Sequence, residues 1–209
     1  MNVLDYIASG LGRSDDLPNK ELAGEIIRQH QKQWVEQLIV NLKHKDKNIQ
    51  SDCIKVLYEI GLQGGNHLIA PYYLDFADLL SSKNNRLVWG AMIALETISD
   101  LKKAEVFGHL ESVLKAMECG SVITIDNGVG ILAKLSADKR FAPKTFPLLL
   151  KQLQRCPAKQ LPMYAEKAMA AIDSENRTTF IALIEKRLPE MDKESQQARL
   201  KKLLKKLQS

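Results

Sequence analysis

Residues 83–98 read KNNRLVWGAMIALETI, and within them Ala91, Ala94, Leu95 and Ile98 fall at helical offsets of 3, 4 and 7 residues. Residues so spaced line one face of an α-helix. The same stripe stands upstream as Cys53, Val56, Leu57 and Ile60. It returns downstream as Gly128, Ile131, Leu132 and Leu135, and again as Ala165, Ala168, Met169 and Ile172. Leu200, Leu203, Leu204 and Leu207 form a fifth copy. Measured between Leu57, Leu95, Leu132, Met169 and Leu204, the steps are 38, 37, 37 and 35 residues. A stripe that recurs with a period of roughly 20–50 residues is the signature of a repeat architecture, in which each unit buries its apolar face against the next.

A second set of columns precedes each stripe: Leu38, Phe76, Val113, Leu149 and Ile184, with Leu42, Leu80, Met117, Leu153 and Leu188 four residues further on. Four residues is one helical turn. Each repeat is therefore read as two helices, A and B, and the pairs are placed at 34–62, 68–99, 105–136, 141–173 and 177–208. Turn-forming residues fall between A and B helices, as in residues 44–48 (HKDKN) and 81–85 (SSKNN). Their Asn, Asp and Ser side chains suit helix caps and turns. Pro71 and Pro143 are expected in the first turns of A helices, and Pro147 as a bend in its helix. Residues 2–9 and 19–30 read as a shorter, irregular helical pair. The small-residue column Cys53, Ala91, Gly128, Ala165 lets A and B backbones approach closely. Leu57, Leu95, Leu132 and Met169 are expected to be buried. The fold is thus expected to be all-α, an α-α superhelix of about five helix pairs. It forms one domain over 1–209, with an N-terminal helical cap at 1–33 and repeats at 34–208.

Composition narrows the function. Hydrophobic content of 45% with 26% charged residues is that of an ordinary globular chain. The N-terminus has no signal-peptide pattern, and no uncharged apolar run reaches the ~18 residues of a membrane span. Cys53, Cys119 and Cys156 are an odd number without a paired spacing, so neither a disulfide framework nor a zinc site is expected, and a reducing cytoplasm is. Net charge is +5, yet residues 193–209 hold six bases and one acid, so the remainder sums to zero. No catalytic spacing, metal-ligand motif, phosphate loop or cofactor motif occurs. An enzyme is not expected, and neither metal nor cofactor is.

The segment 83–95, with the A-helix prolines, the period near 37 and the Asn or Asp of the intra-repeat turns, resembles HEAT repeats over about residues 34–208. The resemblance implies a curved array whose B helices line the concave side. On that side, opposite the buried column, the spacing sets Ser51, Lys55 and Tyr58, then Trp89, Ile93 and Glu96, then Asp126, Gly130 and Ala133, then Met163, Lys167 and Ala170. Large apolar side chains on an exposed face are what a protein-binding surface needs. The candidate partner-binding residues are Tyr58, Arg86, Trp89, Ile93, Asp126 and Met163. Arg86, one turn before Trp89, is placed for a cation–π contact. Gly130, on the same face, would admit a ligand backbone.

The reading is a non-enzymatic scaffold that binds a protein or peptide. Nucleic acid is expected only weakly, through the basic C-terminal helix. The alternative rests on a resemblance to alkylpurine DNA glycosylases, which are also built from HEAT-like repeats and which Trp89 and Asp126 echo. A charge-neutral body opposes it, because a phosphate backbone needs a basic groove.

Overall fold

The computed structural model describes residues 2–208; Met1 and Ser209, the two ends of the expected 1–209 domain, lie outside the described residues. Among the described residues the regular structure is helical, with no strand. The chain divides into two compact units, one running up to Gly128 and the other starting at Val129.

The first unit opens with a 3-10 turn, Val3–Asp5, capped by the Asn2 side chain. Then come α1 (Leu17–Gln29), α2 (Lys32–Asn41) and α3 (Lys47–Ile60). The N-terminal pair is therefore a turn plus one full helix. α1 takes the position of a B helix, packing along α3, while α6 packs along the other flank of α3 and α2 pairs with it as an A helix. Asp46 caps α3 by accepting from the Asn48 N–H at 2.8 Å. Asn84 caps α6 in the same way through the Arg86 N–H at 3.1 Å. The two caps are laced together, because the Asn84 amide also donates to Gln50 Oε1 at 3.1 Å.

Beyond α3 the connector Gly61–Gly65 keeps a wide, π-type helical path. Gly64 takes φ +89°, a left-handed conformation that side-chain-bearing residues rarely adopt. Its neighbours are hemmed in. A Cβ on Gly61 would lie 2.2 Å from Thr97 Oγ1, and one on Gly65 would lie 2.7 Å from Ile27 Cγ1. Gln63 donates to the Lys20 carbonyl and Asn66 to the Thr97 carbonyl, so the connector is tied to α1 and α6 alike.

The next A segment is broken. α4 (Asn66–Ile69) passes through a 3-10 turn at Ala70–Tyr72 into α5 (Tyr73–Leu79). Pro71 sits inside that turn and not at the start of a single helix, since it lacks an N–H and constrains the residue before it. α6 (Asn85–Ile98) follows. α7 (Lys103–Gly108) and α8 (Leu110–Cys119) are then separated by a break at His109, just after Gly108. α9 (Val122–Ser136) starts in this unit. Its β-branched residues and glycines are poor helix formers, so packing must hold it. Gly128 approaches α8 so closely that a Cβ there would meet Met117 Sδ at 2.4 Å.

The second unit contains the end of α9, then α10 (Ala142–Arg155), α11 (Leu161–Ala168), α12 (Arg177–Arg187) and α13 (Glu194–Gln208). Pro143 occupies the first turn of α10, as expected, and α10 runs unbroken through Pro147. α11 packs on α10 and α13, and α13 on α12. The guanidinium of Arg187, largely buried, donates to the Leu153 carbonyl at 2.7 Å and pairs with Glu190, tying the end of α12 to α10. In α13 Leu200, Leu203, Leu204 and Leu207 are buried, while Lys201, Lys202, Lys205 and Lys206 are exposed. This is the division expected of a last B helix.

Of the core positions named from the sequence, Leu57, Leu95 and Leu132 are buried, but Met169 is half-exposed. The reason is local. α11 stops at Ala168, and Met169–Ala171 tightens into a 3-10 turn. With three residues per turn instead of 3.6, the buried positions become Ala168 and Ala171. Met169, where α11 gives way to that turn, lines the flank facing α13.

Candidate functional site

The B helices of the first unit bring two of the expected residues into contact. Tyr58 of α3 and Trp89 of α6 meet with ring centroids 5.7 Å apart and planes tilted by 56°. Trp89 is half-buried, but Tyr58 is only 4% exposed and Ile93 only 9%. The expectation that Tyr58 and Ile93 stand open on the B face is therefore corrected. A B helix in an array touches a neighbouring B helix on each flank as well as its A partner. Its buried arc is wider than that of a helix with a single buried face. Tyr58 and Ile93 fall within that arc, and Tyr58 packs against the Trp89 ring.

A polar cluster closes the other side of Tyr58. The Lys55 ammonium lies 4.8 Å from the Tyr58 ring centroid, 3.1 Å from Asp16 and 2.9 Å from Glu59. Burial works against that ammonium, but the hydrogen bonds it donates to Tyr58, Glu59 and Asp16 hold its pKa above the usual lysine range. Burial also raises the Tyr58 hydroxyl, with Lys55 opposing, so Tyr58 stays neutral. Among the described residues the cation–π contact of this cluster belongs to Lys55 and not to Arg86, which is exposed beside Trp89. Asp126 is half-buried on α9. Gly130 is buried, which withdraws the expectation that it admits a ligand backbone. Met163 is half-buried on α11 in the second unit.

Grooves lie elsewhere among the described residues. In the first unit one of about 550 Å³ runs past Ser82, Asn85, His109, Cys119 and Ser121, and another of about 490 Å³ past Tyr6, Leu11 and Trp34. In the second unit a groove of about 640 Å³ has Met169 and Leu203 as its apolar lining and Arg199, Lys202, Lys205 and Lys206 on α13, with Glu166 opposite. Arg199 grips Glu166 with two hydrogen bonds, at 2.8 and 2.5 Å, and holds its carboxyl below the usual glutamate range. Sequence reasoning missed this groove. The available signal was Met169 itself, a methionine where the other copies of the column have leucine, followed by two alanines. No group of His, Cys, Asp and Glu suited to a metal ion occurs among the described residues. None of their helices is long and apolar enough to cross a membrane.

No family model matches the chain, and no curated protein does. Solved structures do match. A designed armadillo repeat protein in complex with the peptide (KR)4 superposes with a TM-score of 0.68 at 17% identity, covering 90% of this chain and 86% of that one. An engineered protein superposes at 0.61 with 20% identity, over 100% and 97%. The karyopherin Kap121p bound to the SUMO protease Ulp1p matches at 0.65 with 13% identity, over 96% of this chain and 22% of its own. At these identities the likeness is one of fold.

Proposed function

We propose that the chain, a HEAT- or armadillo-like α-solenoid, is a non-enzymatic scaffold that holds a protein segment against its B helices, with Trp89 as the main anchor. The observation that carries this reading is the support under Trp89. A half-exposed indole rests on buried Tyr58, with Ile93 buried on the same helix and exposed Arg86 beside it. An aromatic side chain that is preorganised and flanked by charge binds at little entropic cost. Exposed Arg86 offers a partner charged hydrogen bonds beside the indole. Tyr58 contributes by keeping the indole in place. The designed armadillo protein seen with a peptide and the karyopherin seen with a protease support this reading by analogy of fold. Three free cysteines support a reducing, cytoplasmic setting.

The test is selection of displayed random peptides on the whole protein, followed by affinity measurement on variants. Trp89→Ala is expected to weaken a selected peptide by about 2 kcal/mol or more, as hot-spot truncations do. Leu74→Ala, an equally apolar truncation at an exposed site on an A helix, should leave affinity unchanged. The proposal fails if the two variants bind alike, or if Trp89→Ala unfolds the protein instead of releasing the peptide.

A further inference from the structure

The groove between α11 and α13 opens where α11 ends. Met169, the residue at which α11 gives way to a 3-10 turn, is half-exposed on this flank, where it joins Leu203 as an apolar lining. Methionine is flexible and polarisable, and it adapts to whatever side chain enters beside it.

The rim is of one sign. Arg199, Lys202 and Lys205 are exposed on α13, and three-residue spacing keeps neighbours within one turn. The single carboxylate of the lining, Glu166, is already held by Arg199 at 2.5 Å. The lysines therefore set the electrostatic character of the groove. From Arg199 to Lys205 the helix rises about 9 Å, enough to accept carboxylates on both sides of one inserted side chain.

We infer that this groove is a second docking site, and that its occupant is an acidic protein segment with one apolar side chain set into the space between Met169 and Leu203. Charge complementarity requires the acidic flanks, and the apolar lining requires the anchor. An anionic membrane fits less well. The leucines of α13 pack into the fold, with only the edge of Leu203 reaching the groove, so the helix has no free apolar face to insert into lipid. Nucleic acid fits less well too. The lining holds no aromatic ring for a base to stack on. The site is independent of the Trp89 surface and stands or falls separately.

The experiment uses the whole protein and a set of labelled peptides in which Glu and Asp flank one variable central residue, with binding read by fluorescence anisotropy. A central Leu, Met or Phe is expected to bind about tenfold tighter than a central Ser or Gly, the size of effect one buried apolar side chain supplies. Lys202→Glu with Lys205→Glu should weaken the best peptide about tenfold or more through reversed charge. Trp89→Ala should leave it unchanged. Met169→Ser should erase the preference at the central position without abolishing the acidic contribution, and circular dichroism confirms that each variant is folded. The inference is overturned if affinity is indifferent to the central residue. It is equally overturned if phosphatidylserine vesicles or a single-stranded oligonucleotide bind the protein more tightly than the best peptide.

Discussion

The packing of α3 against α6 turns on a glycine, and its replacement should change sign with its neighbour. A Cβ on Gly90 would sit 2.6 Å from Ile54 Cγ1, 3.2 Å from Cγ2 and 3.5 Å from Cβ. Carbon atoms settle at about 3.5–4.0 Å, so Gly90→Ala forces the two helices apart by about 1 Å. Ile54 is β-branched and 1% exposed, with no easy rotamer to retreat to. Overpacking of this kind costs about 1–3 kcal/mol. Alanine regains about 0.8–1.0 kcal/mol of helix propensity over glycine, which leaves a net destabilisation of about 1 kcal/mol. Ile54→Ala alone should cost about 2–5 kcal/mol as a core truncation. In that background both clashing γ-carbons are gone, and the remaining 3.5 Å approach is an ordinary contact. Gly90→Ala should then stabilise by about 1 kcal/mol through propensity alone. The cycle yields a coupling of about 2 kcal/mol, measurable by urea unfolding followed through helical circular dichroism. The same sign and size for Gly90→Ala in both backgrounds would refute the packing argument.

Two further outcomes follow from burial. Leu95→Ala is expected to cost about 2–5 kcal/mol and the exposed Lys205→Ala no more than about 0.5 kcal/mol; matching denaturation midpoints would show the buried column to be misassigned. Thiol titration at about pH 8 should find one fast-reacting cysteine, Cys119, in the folded protein and three after denaturation, because the thiolate is the reactive form. Cys53 is buried, and desolvation pushes its thiol up to about 12. Burial also raises Cys156, with Arg187 opposing. A second fast thiol would place Cys53 or Cys156 at the surface.

The helices could be read from the sequence because a period of 3.6 residues nested inside a period near 37 leaves few alternatives, and Leu57, Leu95 and Leu132 are buried as that pattern requires. Asp46 and Asn84 were legible as caps, since the chemistry of a helix start is local. The surface was less legible. A helical wheel knows one buried face, whereas Tyr58, Ile93 and Gly130 are buried beside or beyond it, and no pattern along one helix registers packing across its flanks. Trp89 emerged half-buried, in contact with Tyr58, because it stands at the edge of that contact. The groove at Met169 lay hidden for another reason. A periodicity counted over the whole chain does not show where one helix stops, and α11 stops at Ala168, beside a Met169 that is half-exposed.

The connector Gly61–Gly65 bears on how such a chain can change over generations. Repeat arrays grow and diverge by duplication, insertion and deletion, and most junctions absorb a lost or gained residue as slack. This one has none. Thr97 and Ile27 crowd two of its glycines, Gly64 needs a left-handed backbone, and side-chain bonds tie it to the helices on either side. One inserted residue would throw α4 and all that follows out of phase with α3. Length variants should therefore survive at the turns between A and B helices and be purged here, and a grafted repeat should be joined anywhere but across these five residues.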